Sequence, residues 1–352
     1  MPSIEEGGVE KNLFIVSNYL QSKGLKISIL TCNFEKKENF HKDIIFIGPK
    51  SKFWQNKKRL IKYFVCLFLL FINLIKKKQN TLVFAFQANI YAILVAKILN
   101  AKIVTRSNSS PQGWSKNYFK KKLYSLLIHL ADDVMVNSIE FKKEFKKNFN
   151  LNVKCIYNPF KKISLKLQKK KDNKHKNLKI LSVGRLTDQK DHLTLLKATK
   201  LINFKLNPKI TIIGKGAEYN YLQNFVMKNK LEKKVKLKGF KKNPYREIIS
   251  TDILVLTSKF EGLPNILLEA QFFKKYIIST NCPTGPKEIL MNGKAGDLIQ
   301  VGNYKQLAQL INNFKKRKKL ILKKIKTGTS NFDRFEYKLN CDKYYKFVNR
   351  NF

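Results

Sequence analysis

Hydrophobic and polar positions along the chain switch repeatedly between a strand-like and a helix-like pattern. The apolar runs Leu25–Thr31 and Thr81–Phe86 predict strands, and Asn89–Leu99 predicts a helix. The next elements of this half are predicted at Lys102–Thr105 (strand), Lys116–Leu130 (helix) and Asp133–Asn137 (strand). Strands that alternate with helices in this way predict a parallel sheet covered on both faces.

The same alternation restarts in the second half. Residues 156–160 close the first half, and the lysine-rich stretch 161–177 predicts a linker or an exposed excursion. Strands are then predicted at 178–183, Lys209–Ile213, Val235–Leu237, Ile253–Leu256 and Tyr276–Ser279, and helices from about Asp191, at Ala217–Lys228 and at Asn265–Phe272. We therefore predict an α/β protein of two tandem Rossmann-like, doubly wound domains, 1–160 and 161–335, with a helix over 336–352 packing back toward the first. Such sheets bind ligands at the carboxyl ends of their strands, so a cleft between the two facing domains is the expected site.

The longest apolar run, Tyr63–Ile75, is shorter than the ~20 residues that cross a bilayer. Lysines precede and follow it, among them Lys62 and Lys76. Two interpretations remain open: a buried helix of the first domain, or a helix that lies in a membrane interface with its lysines on lipid phosphates. The strand-like segments that follow the run directly favour the buried helix.

The composition of the chain limits the classes of partner that it can have. The chain has 352 residues, of which 43% are hydrophobic, and this excludes wholesale disorder. Lys and Arg number 71 against 24 Asp and Glu, a net charge of +47. Such a field attracts nucleic acid, an anionic membrane or a diphosphate ligand, although a lysine-rich genome would give the same excess. The five cysteines form no CxxC and the polar N-terminus is no signal peptide, so a reducing cytoplasm fits.

Two glutamates eight residues apart form the strongest local signal, in Glu261-Gly-Leu-Pro-Asn-Ile-Leu-Leu-Glu269. Glu269 falls on the apolar stripe of the predicted helix, where a buried charge needs a partner. Glu261 precedes that helix at the carboxyl end of a strand, where a ligand would lie. The alternative is that Glu269 pairs with a core lysine or arginine and that Glu261 is solvated.

A second signal combines Arg185 and Lys190, which follow a predicted strand in Gly-Arg-Leu-Thr-Asp-Gln-Lys. Lys190 is expected in the first turn of the next helix, where a cation is disfavoured unless an anion joins it. A strand end, a helix N-terminus and two cations suit a diphosphate, although 71 basic residues also make a chance pair easy. The glycine pairs Gly7-Gly8 and Gly214-Lys-Gly216 are weaker signals for close approach of backbone to ligand.

Together these motifs resemble the retaining glycosyltransferases of family 4, which have the GT-B fold. The similarity spans nearly the whole chain and is most specific at EGLPNILLEA, which holds Glu261 and Glu269. SVGRLTDQKDHLTLLKA, IIGKGAEYNYL, LKGF and the N-terminal GGVEK match further family motifs in order. NCPTGPKEIL, at 281–290, is similar to the subgroup that builds lipid-linked glycans and surface polysaccharides.

The resemblance implies a role for each matching residue. Arg185 and Lys190 would neutralise the donor diphosphate as it leaves, and Glu261 would contact the donor sugar. Glu269 would accept hydrogen bonds from the nucleotide ribose. The remaining donor-binding positions implied are Asn265, Ile266, Gly7, Gly8, Gly214, Gly216, Gly239 and Phe240.

The implied activity is a retaining, metal-independent transfer of a sugar from a nucleotide-diphosphate sugar, with a UDP-sugar favoured. The acceptor would be a glycan or lipid-linked saccharide of cell-envelope polysaccharide biosynthesis. No cofactor, no metal and no specific nucleic acid are expected. The cytoplasm is the expected location, and an anionic membrane surface, the inner face of the cytoplasmic membrane, is left open as a further partner.

One departure and two rival classes qualify this picture. Many relatives carry a histidine at the end of the first domain's fourth strand, where this chain has Phe86 and Gln87. A side-chain base there is in doubt, and electrostatic stabilisation without a positioned base is expected instead. The rivals are a non-enzymatic, basic nucleic-acid or membrane-binding protein and a degenerate GT-B scaffold. The absence of a nucleic-acid module disfavours the first, and the intact motif residues disfavour the second.

The start of the chain departs from the family in another way. A β-strand should precede the glycine-rich loop and lie in the middle of the first sheet. Only Met1–Glu6 precede Gly7, and Ile4 is the one branched apolar residue among them. We therefore expect a gap or an improvised short strand at the centre of this sheet, with a start truncated by about ten residues as the favoured explanation.

Overall fold

A computed structural model describes residues 1–4, 7–33, 37–49, 51–76, 81–87, 89–108, 118–163 and 177–352. The chain divides into two compact units, Met1–Lys161 with Arg334–Phe352, and Lys162–Asp333. Each unit is built on parallel strands joined through helices, which confirms the predicted α/β class. The predicted lysine-rich excursion over 161–177 lies almost wholly outside the described residues.

The described strands of the first unit form two separate parallel sheets. One pairs β1 (Ser28–Leu30) with β2 (Ile45–Ile47). The other has the order β3 (Leu82–Ala85), β4 (Lys102–Ser107), β5 (Asp133–Val136) and β6 (Lys154–Cys155).

Between Met1 and Ile4 the backbone follows β1 irregularly. The Met1 amino group donates to Leu30 O at 2.8 Å, and Cys32 N donates to Pro2 O at 3.2 Å. Ile4 is 1% exposed and packs in the core with Ile29 and Phe86. This four-residue segment, with one branched apolar side chain, therefore packs beside β1 without forming the regular hydrogen-bond ladder of a strand.

The helices described in this part of the chain are α1 (Gly8–Ser22), α2 (Arg59–Lys76), α3 (Asn89–Ile98), α4 (Tyr118–Ile128) and α5 (Ile139–Phe149). The expectation of a buried α2 is wrong for half of its surface. Leu70 and Leu74 pack in the core, but Phe64 and Phe68 are exposed. The helix is apolar around most of its circumference, whereas the unit offers it a core on one side only.

The described strands of the second unit form a single six-stranded parallel sheet. They are β7 (Lys179–Val183), β8 (Lys209–Ile213), β9 (Val235–Leu237), β10 (Ile253–Leu256), β11 (Tyr276–Thr280) and β12 (Asp297–Ile299). Their order is β12–β11–β10–β7–β8–β9. The chain therefore builds outward from β7 through β8 to β9, then returns to the other side of β7 with β10. Strand order reverses between β7 and β10, which makes this the topological switch point of a doubly wound sheet.

The helices that the structure describes in this unit are α6 (His192–Thr199), α7 (Tyr219–Lys228), α8 (Tyr245–Ser250), α9 (Asn265–Phe272), α10 (Pro286–Ile289), α11 (Tyr304–Asn312) and α12 (Lys318–Ser330). Helix α9 has the predicted bounds, and α6 begins close to the predicted position. Strands β7 to β11 agree with the prediction to within one residue, because buried parallel strands are short, nearly continuous apolar runs.

The last helix, α13 (Tyr337–Asn351), belongs to the first unit. Its Tyr344 is buried, and the Tyr344 hydroxyl accepts a hydrogen bond from Nε of Arg106 at 2.9 Å. Asn158 Oδ1 accepts a second bond from the same guanidinium at 2.6 Å. Arg106, itself 1% exposed, thus joins α13 to β4.

Candidate functional site

The two strongest sequence motifs meet at the switch point of the second unit. Arg185 and Lys190 lie in the loop that leaves the carboxyl end of β7, and Glu261 lies in the loop that leaves the carboxyl end of β10. These two strands are hydrogen-bonded neighbours. In open α/β sheets, the crevice at this point is where ligands bind.

An ion pair joins the two loops. Nζ of Lys190 lies 2.5 Å from Oε1 of Glu261, with side-chain exposures of only 15% and 8%. The Ser258 hydroxyl, which is buried, donates to the same carboxylate oxygen at 2.6 Å. The alternative of a solvated Glu261 is therefore wrong. Sequence reasoning missed Ser258, although its position three residues before Glu261 on the same loop is the signal that could have found it.

Further hydrogen bonds join the loop after β7 to the loop after β10. Lys259 N donates to Gln189 O at 2.8 Å, and the Thr257 hydroxyl donates to Lys190 O at 3.1 Å. Gln189 bridges the two motifs, since its Oε1 accepts from Nη2 of Arg185 at 3.2 Å while its Nε2 donates to Phe260 O at 2.9 Å. Arg185 itself is exposed. The loop thus presents one cation to solvent and holds the other against a carboxylate.

Lys190 was predicted in the first turn of α6. It lies instead two residues before the helix begins, so this prediction is wrong. Asp191 is the N-cap: its carboxylate accepts from Thr194 N at 3.3 Å, and its backbone is left-handed with φ of 45°. Because the backbone of Asp191 is left-handed, the chain turns sharply here. This turn directs Lys190 toward Glu261 in the neighbouring loop.

The backbone of Glu261 is held from the other side by the NCPTGP segment after β11. Glu261 N donates to Pro283 O at 2.7 Å, and Thr284 donates to Glu261 O through both its N–H and its hydroxyl, each at 3.3 Å. Gly285, with φ of +83°, brings its Cα so close that a Cβ there would lie 1.8 Å from Gly262 O. Sequence reasoning used this segment only for its subgroup resemblance and missed this positioning role.

Helix α9 begins directly after this loop, with Pro264 as its N-cap. Asn265 and Ile266 are therefore its first two residues, where backbone N–H groups point away from the helix. Glu269 lies one turn further on and is 7% exposed, so the predicted burial of this carboxyl group is confirmed. The donor-binding roles of these three residues stay predictions.

Gly214, Gly216 and Gly239 bring the neighbouring loops against the Arg185 loop. Gly184 N donates to Ile213 O at 3.0 Å, and Gly214 N donates to Gly239 O at 2.8 Å. A Cβ on Gly214 would lie 1.8 Å from Gly184 O, and one on Gly216 would lie 2.2 Å from Leu186 O. The first two glycines thus permit loop-to-loop packing, while Gly239 adopts φ of +62°.

The other predicted positions belong to other segments of the chain. Phe240, 40% exposed, follows β9, and Nζ of Lys215 lies 5.3 Å from the centroid of its ring. Gly7 and Gly8 belong to the first unit, where Gly7 is the N-cap of α1 and Gly8 its first residue. Among the described residues, no group of three or more His, Cys, Asp or Glu side chains is arranged to hold a metal ion.

His192 is a buried titratable group next to this site. It is the first residue of α6, 2% exposed, and its Nδ1 lies 3.2 Å from the Ser182 hydroxyl on β7. Burial, and secondarily the positive charge of Lys190, lower the pKa of His192 to about 4 from an ordinary 6.5. The imidazole is therefore neutral in the folded protein at neutral pH.

This burial predicts a pH-dependent loss of stability. Between pH 6.5 and 4 the unfolded chain binds a proton at His192 that the folded chain does not, so acidification through this window favours unfolding. The contribution reaches ~3 kcal/mol of unfolding free energy. Urea titrations from pH 7 downward should show a steeper loss for wild type than for His192→Gln. Equal slopes in the two proteins would refute the assignment.

Comparison with known proteins identifies the family. Residues 164–330 match the model of glycosyl transferases group 1. The chain belongs to this family. An uncharacterized glycosyltransferase of Methanocaldococcus jannaschii is 31% identical over 276 residues, covering 70% of this chain and 66% of that protein. The N-acetylgalactosamine-N,N'-diacetylbacillosaminyl-diphospho-undecaprenol 4-alpha-N-acetylgalactosaminyltransferase of Campylobacter jejuni is 28% identical over 267 residues, covering 72% of this chain and 73% of that enzyme.

Solved structures agree on the fold of this group 1 glycosyltransferase. The crystal structure of Anabaena HepE in complex with UDP-glucose superposes with a TM-score of 0.78 at 16% identity. It covers 99% of this chain, and 97% of that chain is covered in return. The predicted GT-B fold is therefore confirmed. None of the helices that the structure describes has the length and apolar content needed to cross a bilayer.

Proposed function

We propose that this glycosyltransferase is a retaining, metal-independent enzyme that takes its sugar from a UDP-sugar. The proposed acceptor is a glycan or a lipid-linked saccharide of cell-envelope polysaccharide assembly, with the reaction in the cytoplasm. The observation that carries the proposal is the Lys190–Glu261 pair at the switch point, beside exposed Arg185 and the start of α9.

The charges at this point suit a sugar diphosphate. The carboxylate of Glu261 already neutralises Lys190, so a single glutamate holds the lysine in position before any ligand arrives. Arg185 and the backbone N–H groups of the first α9 turn supply further positive potential for an anion. In the proposed complex, Arg185 and Lys190 bind the diphosphate, and Glu261 turns its second oxygen to a sugar hydroxyl.

The proposed reaction needs no side-chain base. The acceptor hydroxyl oxygen forms a bond to the anomeric carbon while the bond from that carbon to the diphosphate oxygen breaks. The acceptor proton passes to the departing diphosphate on the same face of the sugar, so the configuration is retained. Arg185 and Lys190 stabilise the negative charge that develops on the leaving group, and one such preorganised contact is worth roughly 2.7–4 kcal/mol.

The names of similar proteins guide the choice of substrates. The Campylobacter relative is named for transfer to a saccharide on diphospho-undecaprenol, and the Anabaena structure contains UDP-glucose. The Anabaena structure points to a nucleotide-sugar donor, and the Campylobacter name points to a lipid-diphosphate acceptor. The NCPTGP segment that holds the Glu261 backbone is also the motif that resembles the lipid-linked glycan subgroup.

A donor screen tests the proposal. The purified protein is incubated with a panel of nucleotide sugars, with and without a lipid-diphosphate-linked saccharide, and nucleoside diphosphate release is measured. We expect release from one UDP-sugar, stimulated by the acceptor, and a product whose anomeric configuration, determined by NMR, matches the donor. Inversion would refute the retaining mechanism, and failure of every donor would refute the function.

Two glutamate variants separate binding from chemistry in the same assay. Glu269→Gln should chiefly raise the donor KM, because ribose contacts are made in the ground state and transition state alike. Glu261→Gln should chiefly lower kcat, because its carboxylate contacts the reacting sugar. Glu232→Gln, an exposed position of the same unit, is the matched control and should leave both constants unchanged.

A further inference from the structure

Three neighbouring helices of the first unit present apolar side chains to solvent. On α2 the exposed residues recur at helical spacing along one face: Leu60, Phe64, Phe68, Phe71 and Ile75. Phe64 and Phe68 are 72% and 64% exposed, whereas Leu70 and Leu74 on the other side are buried. An amphipathic surface helix would carry polar residues where these phenylalanines lie.

The exposed surface continues from α2 onto the next two helices. Helix α3 packs beside α2, and α4 packs beside α3. The ring centroids of Tyr63 on α2 and Tyr91 on α3 are 6.3 Å apart, and burial, with the neighbouring Tyr91 hydroxyl, raises the pKa of Tyr124 on α4. Further exposed apolar residues on these two helices and the turn after α4 are Leu94, Ile98, Leu123, Leu126 and Leu130. We call the exposed apolar residues of α2, α3 and α4 the three-helix face.

An apolar surface that spans three helices marks an interaction site, because monomeric proteins rarely expose large contiguous apolar patches. Ile98 and Leu126, at 74% and 62% exposure, are as open to solvent as the phenylalanines of α2. Since none of the described helices can cross a bilayer, the three-helix face would lie along a surface.

The charge around this face selects the partner. Residues 44–131 contain 16 Lys and Arg but no Asp or Glu, whereas an even spread of the 24 acidic residues would put six there. A uniform lysine bias of the genome does not explain a segment of 88 residues without acids. Lys58 and Lys76, at the two ends of α2, and Lys122 on α4 are exposed. The three-helix face therefore combines apolar side chains with nearby cations, and it is complementary to a negatively charged partner.

We propose that the three-helix face docks on an anionic lipid bilayer. Phe64 and Phe68 enter the boundary between headgroups and acyl chains, and Lys58, Lys76 and Lys122 bind lipid phosphates. This binding does not depend on the transfer reaction proposed above, and the test below measures it without a donor or an acceptor.

Co-sedimentation with lipid vesicles tests the proposal. The full chain is mixed with vesicles of phosphatidylcholine and phosphatidylglycerol, or of phosphatidylcholine alone, at low and high salt. We expect binding to the anionic vesicles that weakens as salt rises, because exposed charges are screened. The variant Phe64→Ser/Phe68→Ser should bind roughly 100-fold more weakly, about tenfold for each phenyl group removed from lipid.

Matched controls keep the result interpretable. Phe204→Ser removes an equally exposed phenylalanine, 74%, from the second unit and should leave vesicle binding unchanged. Lys58→Glu should reduce both the affinity and its salt dependence, whereas Lys316→Glu in the second unit should do neither. All variants should melt with wild type by circular dichroism, since the replaced side chains are exposed.

Two results would overturn the proposal. One is wild-type affinity of Phe64→Ser/Phe68→Ser for anionic vesicles. The other is a wild-type dimer in analytical ultracentrifugation that this variant dissociates, because the three-helix face would then be covered by a second copy of the chain.

Discussion

Replacing Lys190 with methionine should destabilise the second unit by about 3–5 kcal/mol, because it leaves the Glu261 carboxylate buried without its cation. Glu261→Gln should also destabilise, since it leaves the ammonium group of Lys190 at 15% exposure with a neutral partner. Both variants should lose turnover, by roughly 10²–10³ for Lys190→Met if the ammonium group stabilises the leaving diphosphate. Urea unfolding of the second unit and steady-state kinetics measure the two effects.

The double variant Lys190→Met/Glu261→Gln separates structure from catalysis. It removes both charges, so we expect it to be more stable than the sum of the single effects predicts, by about 0.5–3 kcal/mol. Turnover should remain as low as in the less active of the two single variants, because neither assigned group is restored. Additive stability effects would show that the pair is not coupled, and recovered turnover would remove both residues from the reaction.

Replacing Gly214 with alanine should disturb the Arg185 loop, although Gly214 lies in a neighbouring loop. The Cβ of Gly214→Ala would lie 1.8 Å from the carbonyl oxygen of Gly184, which is backbone and has no rotamer to change. The two loops must separate, at a cost of about 1–3 kcal/mol of unfolding free energy. Arg185 follows Gly184 directly, so its guanidinium would move with the loop, and a misplacement of about 1 Å can cost 10²-fold in rate.

Gly184→Ala is the matched control for this substitution. The three atoms nearest to a Cβ there all belong to the Lys190 side chain, at 3.4 Å or more, which is an ordinary van der Waals distance. We expect thermal melting of Gly184→Ala close to wild type and melting of Gly214→Ala several degrees lower. Equal melting temperatures would mean that the loops separate without cost and that glycine is not required at position 214.

Most elements of the second unit between β7 and β11 could be predicted from sequence, whereas α8, α10, β12, α11 and α12 were not predicted. Strands β7 to β11 are continuous apolar runs and the motifs follow them directly, so Arg185 and Glu261 were each placed at the carboxyl end of a strand. The ion pair of Lys190 with Glu261 was not predicted. What remained hidden depends on contacts distant in sequence. Pro283 accepts a hydrogen bond from the Glu261 backbone, and no local sequence pattern predicts this contact.

The first unit was harder to predict because its apolar residues exceed what its core can bury. Periodicity identifies α2 as a helix but cannot tell which of its apolar faces meets the core when most of its circumference is apolar. Only the packed structure shows Leu70 inside and Phe64 outside. At the start of the chain, the short segment before Gly7 likewise gave no strand pattern, and the backbone there follows β1 irregularly.

A donor diphosphate is proposed to bind at the loops after β7 and β10. Isothermal titration calorimetry with UDP and with uridine, on wild type, Arg185→Ala and the exposed control Arg246→Ala, tests it most directly. Loss of a hydrogen bond between charged groups costs about 1.5–3 kcal/mol. We therefore expect Arg185→Ala to weaken UDP binding roughly 10- to 150-fold and to leave uridine binding unchanged, whereas Arg246→Ala should bind UDP with wild-type affinity. Equal UDP affinities for Arg185→Ala and wild type, or an equal loss for UDP and uridine, would contradict it.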